Sequence, residues 1–356
     1  MATIRDIAER VGLSKGVVSS YLNDPDTTRV SAARKVMIDE AVRELRYVPN
    51  SHARSLSIGR SNLVNILILF REPLFRNSVV NEILSGIGTG LERHGFGMVF
   101  PAQRYGMLQD MAREQIRSGH GNAGYIVIGT RYSTIDDMHQ TADELVKRDV
   151  PFVITNAPDL GRTVSQVVVH GNRSAPVIQH LLDLGHRRIL ILAGTEYDPE
   201  CEYEIQEITR AFRQRGSGVD TDLLVYAGYD FRKAKLATMN AVDQGVDFTA
   251  VYCLTREMAM GASQALFEKG RSVPRDVTIA TIAESRFLEH YHFPFIVMET
   301  DYFRMGEEAA KLLMTHIDRL ESNAEFSPRT VRLESRMVVP HTGTLIATLP
   351  ETDHVH

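Results

Sequence analysis

From Leu63 onward the chain repeats one pattern: a short, almost unbroken apolar run followed by a stretch with helical spacing. The runs are LVNILILF, GMVF, GYIVIG, PFVIT, SQVVV, RILILA, DLLVY, TAVYC, VTIATI and PFIVM. A strand that is apolar throughout is buried on both faces. This is the mark of parallel sheets in βαβ units, whose crossover helices cover each side. Glycines stand at the expected helix ends, in RHGFG, DLGHRR, QRGSG, DQGVD and EKGRS, where a left-handed residue closes the last turn. Ten such strands exceed one comfortable sheet, and 356 residues are enough for two or three domains. The pattern predicts two Rossmann-like lobes of parallel sheet flanked by helices, with ligands taken at the carboxyl ends of strands.

The first sixty residues follow a different rule. Thr3 and Asp6 form a capping-box pattern ahead of Ile4, Ile7, Ala8 and Val11, and Gly12 supplies a left-handed stop. Ser14 then caps a second helix whose apolar positions are Val17, Val18, Tyr21 and Leu22. Helix, glycine turn, helix is the helix-turn-helix arrangement. Lys15, Gly16, Ser19 and Ser20 lie on the polar side of the second helix, near the end from which such helices read base edges. Asn23 sits at its close, as a cap or a backbone contact. A third amphipathic helix follows Ser31, and Pro49 breaks it, with Asn50 placed to cap another. The segment SHARSL is about one and a half turns long, too short to be stable alone in water.

Charge supports this division only mildly. The whole chain carries a formal net charge of −5. Residues 1–60 hold ten Lys or Arg against seven Asp or Glu, whereas the remainder holds thirty against thirty-eight. Only the first segment has the sign that phosphate requires.

The run TIRDIAERVGLSKGVVSSYLN, continuing to ELRYVPNSHARSL, resembles the amino terminus of the lactose-repressor (LacI) family of bacterial transcription regulators. DLGHRRI and MGEEAAKLL extend the resemblance into the rest of the chain. It implies a small all-α helix-turn-helix DNA-binding domain joined to a two-lobed α/β sensor domain like the periplasmic binding proteins. The implied boundaries are a headpiece over 1–48, a hinge and linker over 49–61, a sensor over 62–342 and a tail over 343–356. The N-lobe is expected at about 62–161 plus 291–322, and the C-lobe at about 162–290 plus 323–342. The implied partners are a double-stranded DNA operator, a second copy of the chain and a small-molecule effector. The hinge would order on DNA, with Leu56 as a wedge in a minor-groove base step, Ala53 beside it and Arg54 on phosphate or supporting the hinge fold. Lys15, Gly16 and Ser20 would occupy the positions that vary with operator sequence, with Ser14, Val17, Ser19, Asn23 and Asn50 among the further DNA contacts.

The effector positions implied by the resemblance depart from the pattern of sugar-responsive members. An Arg, an Asn and an Asp are usual. Here the aligned residues are Gln206, Thr255 and Glu284. In the N-lobe, the segment with Pro73 and Phe75 and the residue Asn156 replace the usual motifs, and Phe231 would be an aromatic platform. Gln cannot supply the charge or the bidentate fork of Arg. Glu196, Asp198, Glu200, Glu202 and Glu204 make this mouth acidic, which favours a neutral or cationic effector over a phosphosugar. A pocket without sensing, with a protein co-regulator instead, is the alternative within this fold. A cytosolic solute-binding module is the alternative of another class.

Other chemistries find little support. SGIGTG, residues 85–90, falls within a helical stretch rather than straight after a strand, so close helix packing is expected there and not a nucleotide loop. No metalloprotease, hydrolase-elbow or paired-cysteine motif is present, and EHYH, residues 289–292, lacks the further ligands a metal needs. No cofactor and no enzymatic activity are expected. Without a signal sequence, a membrane-length apolar run or a disulfide framework, the expected location is the cytoplasm. The tail lacks tetramerising heptads, so a homodimer is expected.

Overall fold

The computed structural model describes residues 2–23, 27–28, 30–45, 47, 61–68, 77–100, 116, 122–130, 133–161, 163–169, 171–196, 198–284, 294–322 and 327–340. These divide into two compact units, Met1–Ser61 and Asn62–His356. The hinge residues Asn50, Ala53, Arg54 and Leu56, the N-lobe residues Pro73 and Phe75, and EHYH lie outside the described residues.

The first unit is built on α1 (Ile4–Val11), α2 (Lys15–Asn23) and α3 (Ala32–Glu44). Thr3 and Asp6 make the expected capping box, and Gly12 closes α1 at φ 65°. Ile7, Ala8, Val18, Tyr21, Val30, Ile38 and Ala41 form a small buried core. Two polar contacts tie α3 to its neighbours: Tyr21 donates to Asp39 Oδ2 (2.8 Å) and Arg10 to Glu44 Oε2 (2.9 Å).

The second unit holds two six-stranded sheets among the described residues. Sheet 1 contains β1 (Leu63–Ile68), β2 (Gly97–Val99), β3 (Gly124–Ile128), β4 (Phe152–Thr155), β5 (Gln166–Val169) and β11 (Thr330–Leu333), in the order β11-β5-β4-β3-β1-β2. Every pairing in it is parallel, with Val64 opposite Gly124, Tyr125 opposite Phe152 and Thr330 opposite Gln166. Sheet 2 contains β6 (Ile189–Ala193), β7 (Leu224–Tyr226), β8 (Ala250–Cys253), β9 (Thr278–Glu284), β10 (Phe295–Thr300) and β12 (Arg336–Val338), in the order β12-β10-β9-β8-β6-β7. It is parallel except for β12, which runs antiparallel to β10 with Val297 opposite Val338.

Sheet 1 is covered on one face by α4 (Ser78–Glu92) and α10 (Tyr302–Glu321), and on the other by α5 (Ile135–Val146). Along sheet 2, α6 (Ser174–Asp183) packs on α7 (Pro199–Gln214), and α8 (Phe231–Asp243) packs on α9 (Arg256–Glu268). SGIGTG is part of α4 and serves helix packing. A Cβ at Gly86 would collide with the Phe303 carbonyl oxygen, and one at Gly90 would lie 2.7 Å from Ala310 Cβ. Gly306 faces Ile83 in the same crossing, so the two backbones meet with almost no side chain between them.

The expected lobe boundaries need correction. Residues 166–169 fall in sheet 1, because β5 hydrogen-bonds to β4. Residues 295–300 fall in sheet 2, because β10 pairs with β9. Residues 330–333 return to sheet 1 beside β5, and only 336–338 join sheet 2. The chain thus passes between the sheets three times. Buried Gln166 fixes the last return: its side-chain amide donates to Thr330 Oγ1 (3.1 Å) and Asp159 Oδ1 (2.7 Å).

Candidate functional site

In the first unit, the start of α2 presents an open polar face. Ser14, Lys15 and Gly16 are exposed, and Ser19 and Ser20 are half-buried. Ser14 Oγ accepts from the amide of Val17 (3.3 Å), as its place at the helix start requires. A Cβ at Gly16 would meet nothing nearer than Ser14 Oγ at 4.0 Å, so the fold places no demand on that missing side chain. Val17, expected among the DNA contacts, is half-buried against the headpiece core. Asn23 ends α2.

In the second unit, a cavity of about 270 Å3 is lined by residues associated with both sheets. Four of them stand at carboxyl ends of parallel strands: Thr130 after β3, Asn156 after β4, Thr255 after β8 and Glu284 at the end of β9. Helix starts complete the wall. Asn77 caps α4, accepting from the Val80 amide (3.1 Å), and Tyr302 begins α10. The parallel topology therefore gathers these ends into one place, as in other doubly wound sheets.

Sequence reasoning placed Asn156, Thr255 and Glu284 at an effector site, and all three line this cavity. Gln206 and Phe231 do not. Gln206 faces a separate groove with Glu202 and Tyr226, and its amide donates to Glu202 Oε1 (3.4 Å). The residues that α7 turns toward the cavity are Glu200 and Glu204, the second of them two positions before Gln206. Two residues along a helix amount to about 200° of rotation, which carries a side chain to the opposite face. Phe231 is the first residue of α8. The aromatic wall is instead Tyr229, at φ 57°, whose ring lies on Gly194 and whose hydroxyl donates to Asp198 Oδ2 (2.6 Å). Burial and Asp198 both push the Tyr229 hydroxyl far above its usual range, so it remains a donor.

Two arginines that sequence reasoning missed hold the cavity's charge. Arg173 donates to Tyr302 Oη (2.7 Å), Glu200 Oε1 (2.9 Å) and Glu204 Oε1 (3.4 Å). Glu204, 4% exposed, also accepts from Ser174 and from Asn172 Nδ2 (3.3 Å), and Tyr252 donates to Ser174 Oγ (2.7 Å). Arg256 donates to Glu257 Oε1 (2.9 Å) and pairs with Glu284. Arg256 follows Thr255 directly, so its strand-end position was the signal available. Arg173 sits at the first passage between the sheets, which no local pattern marks.

The model for bacterial regulatory proteins of the lacI family matches residues 3–50, and that for a periplasmic binding protein-like domain matches residues 178–340. The HTH-type transcriptional regulator CelR of Thermobifida fusca is 30% identical over 356 residues, covering 96% of this chain and 98% of CelR. The HTH-type transcriptional repressor PurR of Vibrio campbellii is 24% identical over 96% of this chain and 98% of its own. Among solved structures, a CelR–cellobiose complex superposes with a TM-score of 0.60 at 27% identity, over 95% of this chain and 99% of that one. The Lac repressor bound to ONPG shares the fold, with a TM-score of 0.78 at 19% identity over 95% and 98%. With its helix-turn-helix unit, two-sheet unit and a full-length relative at this identity, the chain belongs to the lacI family of bacterial transcriptional regulators.

Proposed function

We propose that the protein represses transcription in the cytoplasm by binding a pseudo-palindromic operator as a homodimer, and that a small molecule in the cavity between the sheets changes that affinity. The carrying observation is the exposed start of α2, where Ser14, Lys15 and Gly16 form a face the headpiece core does not use. A helix offered this way enters the major groove by its first turn. Lys15 supplies a donor for guanine O6 or N7, and Gly16 leaves room for close approach. Ser20 is assigned with Lys15 and Gly16 to the operator-specific positions, and Ser19 and Asn23 to phosphate and backbone. Asn50, Ala53, Arg54 and Leu56 are assigned to a minor-groove hinge on the strength of their sequence alone. A related regulator has been solved with cellobiose, which supports a small-molecule reading of the cavity.

The test is selection of binding sites from random duplex DNA by the full-length chain, followed by footprinting. A pseudo-palindrome protected at nanomolar protein supports the reading. Recovery of no preferred site, with equal affinity for competitor DNA, removes it.

A further inference from the structure

We propose that Arg173 is a positioning residue that pins the angle between the two lobes, and that this pin sets the operator affinity of the unliganded chain. The inference rests on the regulator reading above and adds the residue through which the lobes are held. The chain passes between the sheets in the stretch ending at Arg173, again at Asp301, and a third time at Glu334 and Ser335. Side chains stitch the three passages together. Arg173 Nη1 donates to Tyr302 Oη (2.7 Å), joining the first passage to the second. Thr300, on the other side of the second passage, hydrogen-bonds Tyr302 and also Ser335 Oγ (2.9 Å), which joins the second to the third.

The two ends of the Arg173–Tyr302 bond are anchored in different lobes. Tyr302 is buried in the sheet 1 core with Ile83, Ile87 and Met305. On the sheet 2 side, Arg173 Nη2 is held by Glu200 Oε1 (2.9 Å) and Glu204 Oε1 (3.4 Å) of α7. Glu204 accepts in turn from Ser174, which accepts from Tyr252 in the sheet 2 core. A planar guanidinium held by two carboxylates has little freedom of direction, so α7 decides where Nη1 points.

Rotation of one lobe on the other would draw Tyr302 away from that nitrogen. The Arg173 side chain is only 17% exposed, so the rotation would leave a largely buried donor unsatisfied. Hinge motion is absorbed by a few residues at the ends of elements, and Arg173, Thr300, Tyr302 and Ser335 all stand there. Arg173, Tyr302, Glu200 and Glu204 also line the cavity, so an occupant meets the pin directly.

The experiment compares substitutions across the pin with one inside a lobe. Tyr302→Phe deletes the hydroxyl that Arg173 reaches. Arg173→Lys keeps the charge beside Glu200 and Glu204 but loses the fork. Tyr125→Phe deletes another buried hydroxyl, one that donates to the Ile116 carbonyl within the sheet 1 lobe (3.0 Å). Spin labels at Gln140→Cys on α5 and Arg213→Cys on α7 report the separation of the lobes in the full-length chain, diluted with unlabelled chain. Both positions are exposed, and Cys201 and Cys253 are buried. Tyr302→Phe and Arg173→Lys should each give a wider distance distribution than the labelled parent and move unliganded operator affinity by about fivefold, in the same direction, with the double variant no further displaced. Tyr125→Phe should superpose on the parent in both readouts. Distances unchanged in both pin variants, or displaced equally by Tyr125→Phe, would overturn the pin. Widened distances with operator affinity unmoved would overturn its link to DNA. The label distances need no operator, so failure to select one removes the regulator reading and leaves the pin to be judged by itself.

Discussion

Gly16 carries no side chain at a place where the headpiece would accept one. Its helix loses about 1 kcal/mol by having glycine rather than alanine. Gly16→Ala should therefore raise headpiece stability by up to about 1 kcal/mol while operator affinity falls, read by thermal unfolding and a mobility-shift titration. Unchanged affinity would place Gly16 off the DNA. His186, 1% exposed, poses the opposite case. Its Nδ1 bonds Thr249 Oγ1 (2.8 Å), and its Nε2 is buried with no hydrogen-bond partner among the described residues. Burial, reinforced by Arg187 and His180, pushes its pKa down to about 4 from 6.5. The unfolded chain takes up this proton first, so the group's contribution is complete above pH 6.5 and lost as the pH falls toward 4. Denaturant unfolding of wild type should drop by roughly 2–3 kcal/mol more than His186→Asn between pH 7 and 4.5, and parallel curves would refute the assignment. At this scale the family resemblance was informative at strand ends, where the positions it implied, Asn156, Thr255 and Glu284, all line the cavity. On α7 it was not, because acidic residues occupy both faces and composition cannot choose between Glu204 and Gln206.

At the scale of elements, the α4–α10 crossing is the most exacting contact described. Gly86, Gly90 and Gly306 bring the two backbones together, and a methyl group there has no soft neighbour to displace. Gly86→Ala should destabilise the second unit by about 1–3 kcal/mol, several degrees in a thermal melt, despite alanine's better helix propensity. A melt equal to wild type would mean that the helices separate freely. The helical reading of SGIGTG came from its position in the chain, and the collision with the Phe303 carbonyl supplies its physical content. Ten strands were legible because each is a short apolar run, although β2 and β7, themselves edge strands, are only partly buried. The two that were missed, β11 and β12, contain Arg332 and Arg336 and lie at sheet edges. An edge strand needs only one apolar face, and three or four residues of alternation do not stand out.

Across the whole molecule, only the first sixty residues carry a net positive charge, so attraction to DNA must come from there. Operator affinity should fall steeply between 50 and 200 mM salt. Lys15→Ala should alter base preference at one position of each half-site with the salt dependence unchanged. A uniform loss with the slope reduced by about one would instead make Lys15 a phosphate contact. The three passages between sheets have another implication, one that concerns synthesis. Sheet 1 is finished by Thr330–Leu333 and sheet 2 by Arg336–Val338, so nine consecutive residues complete both. A ribosome that has made three hundred residues has made neither lobe whole. Each lobe waits on the same late stretch of message, and a frameshift between Thr300 and Thr330 leaves two open sheet edges rather than one working half.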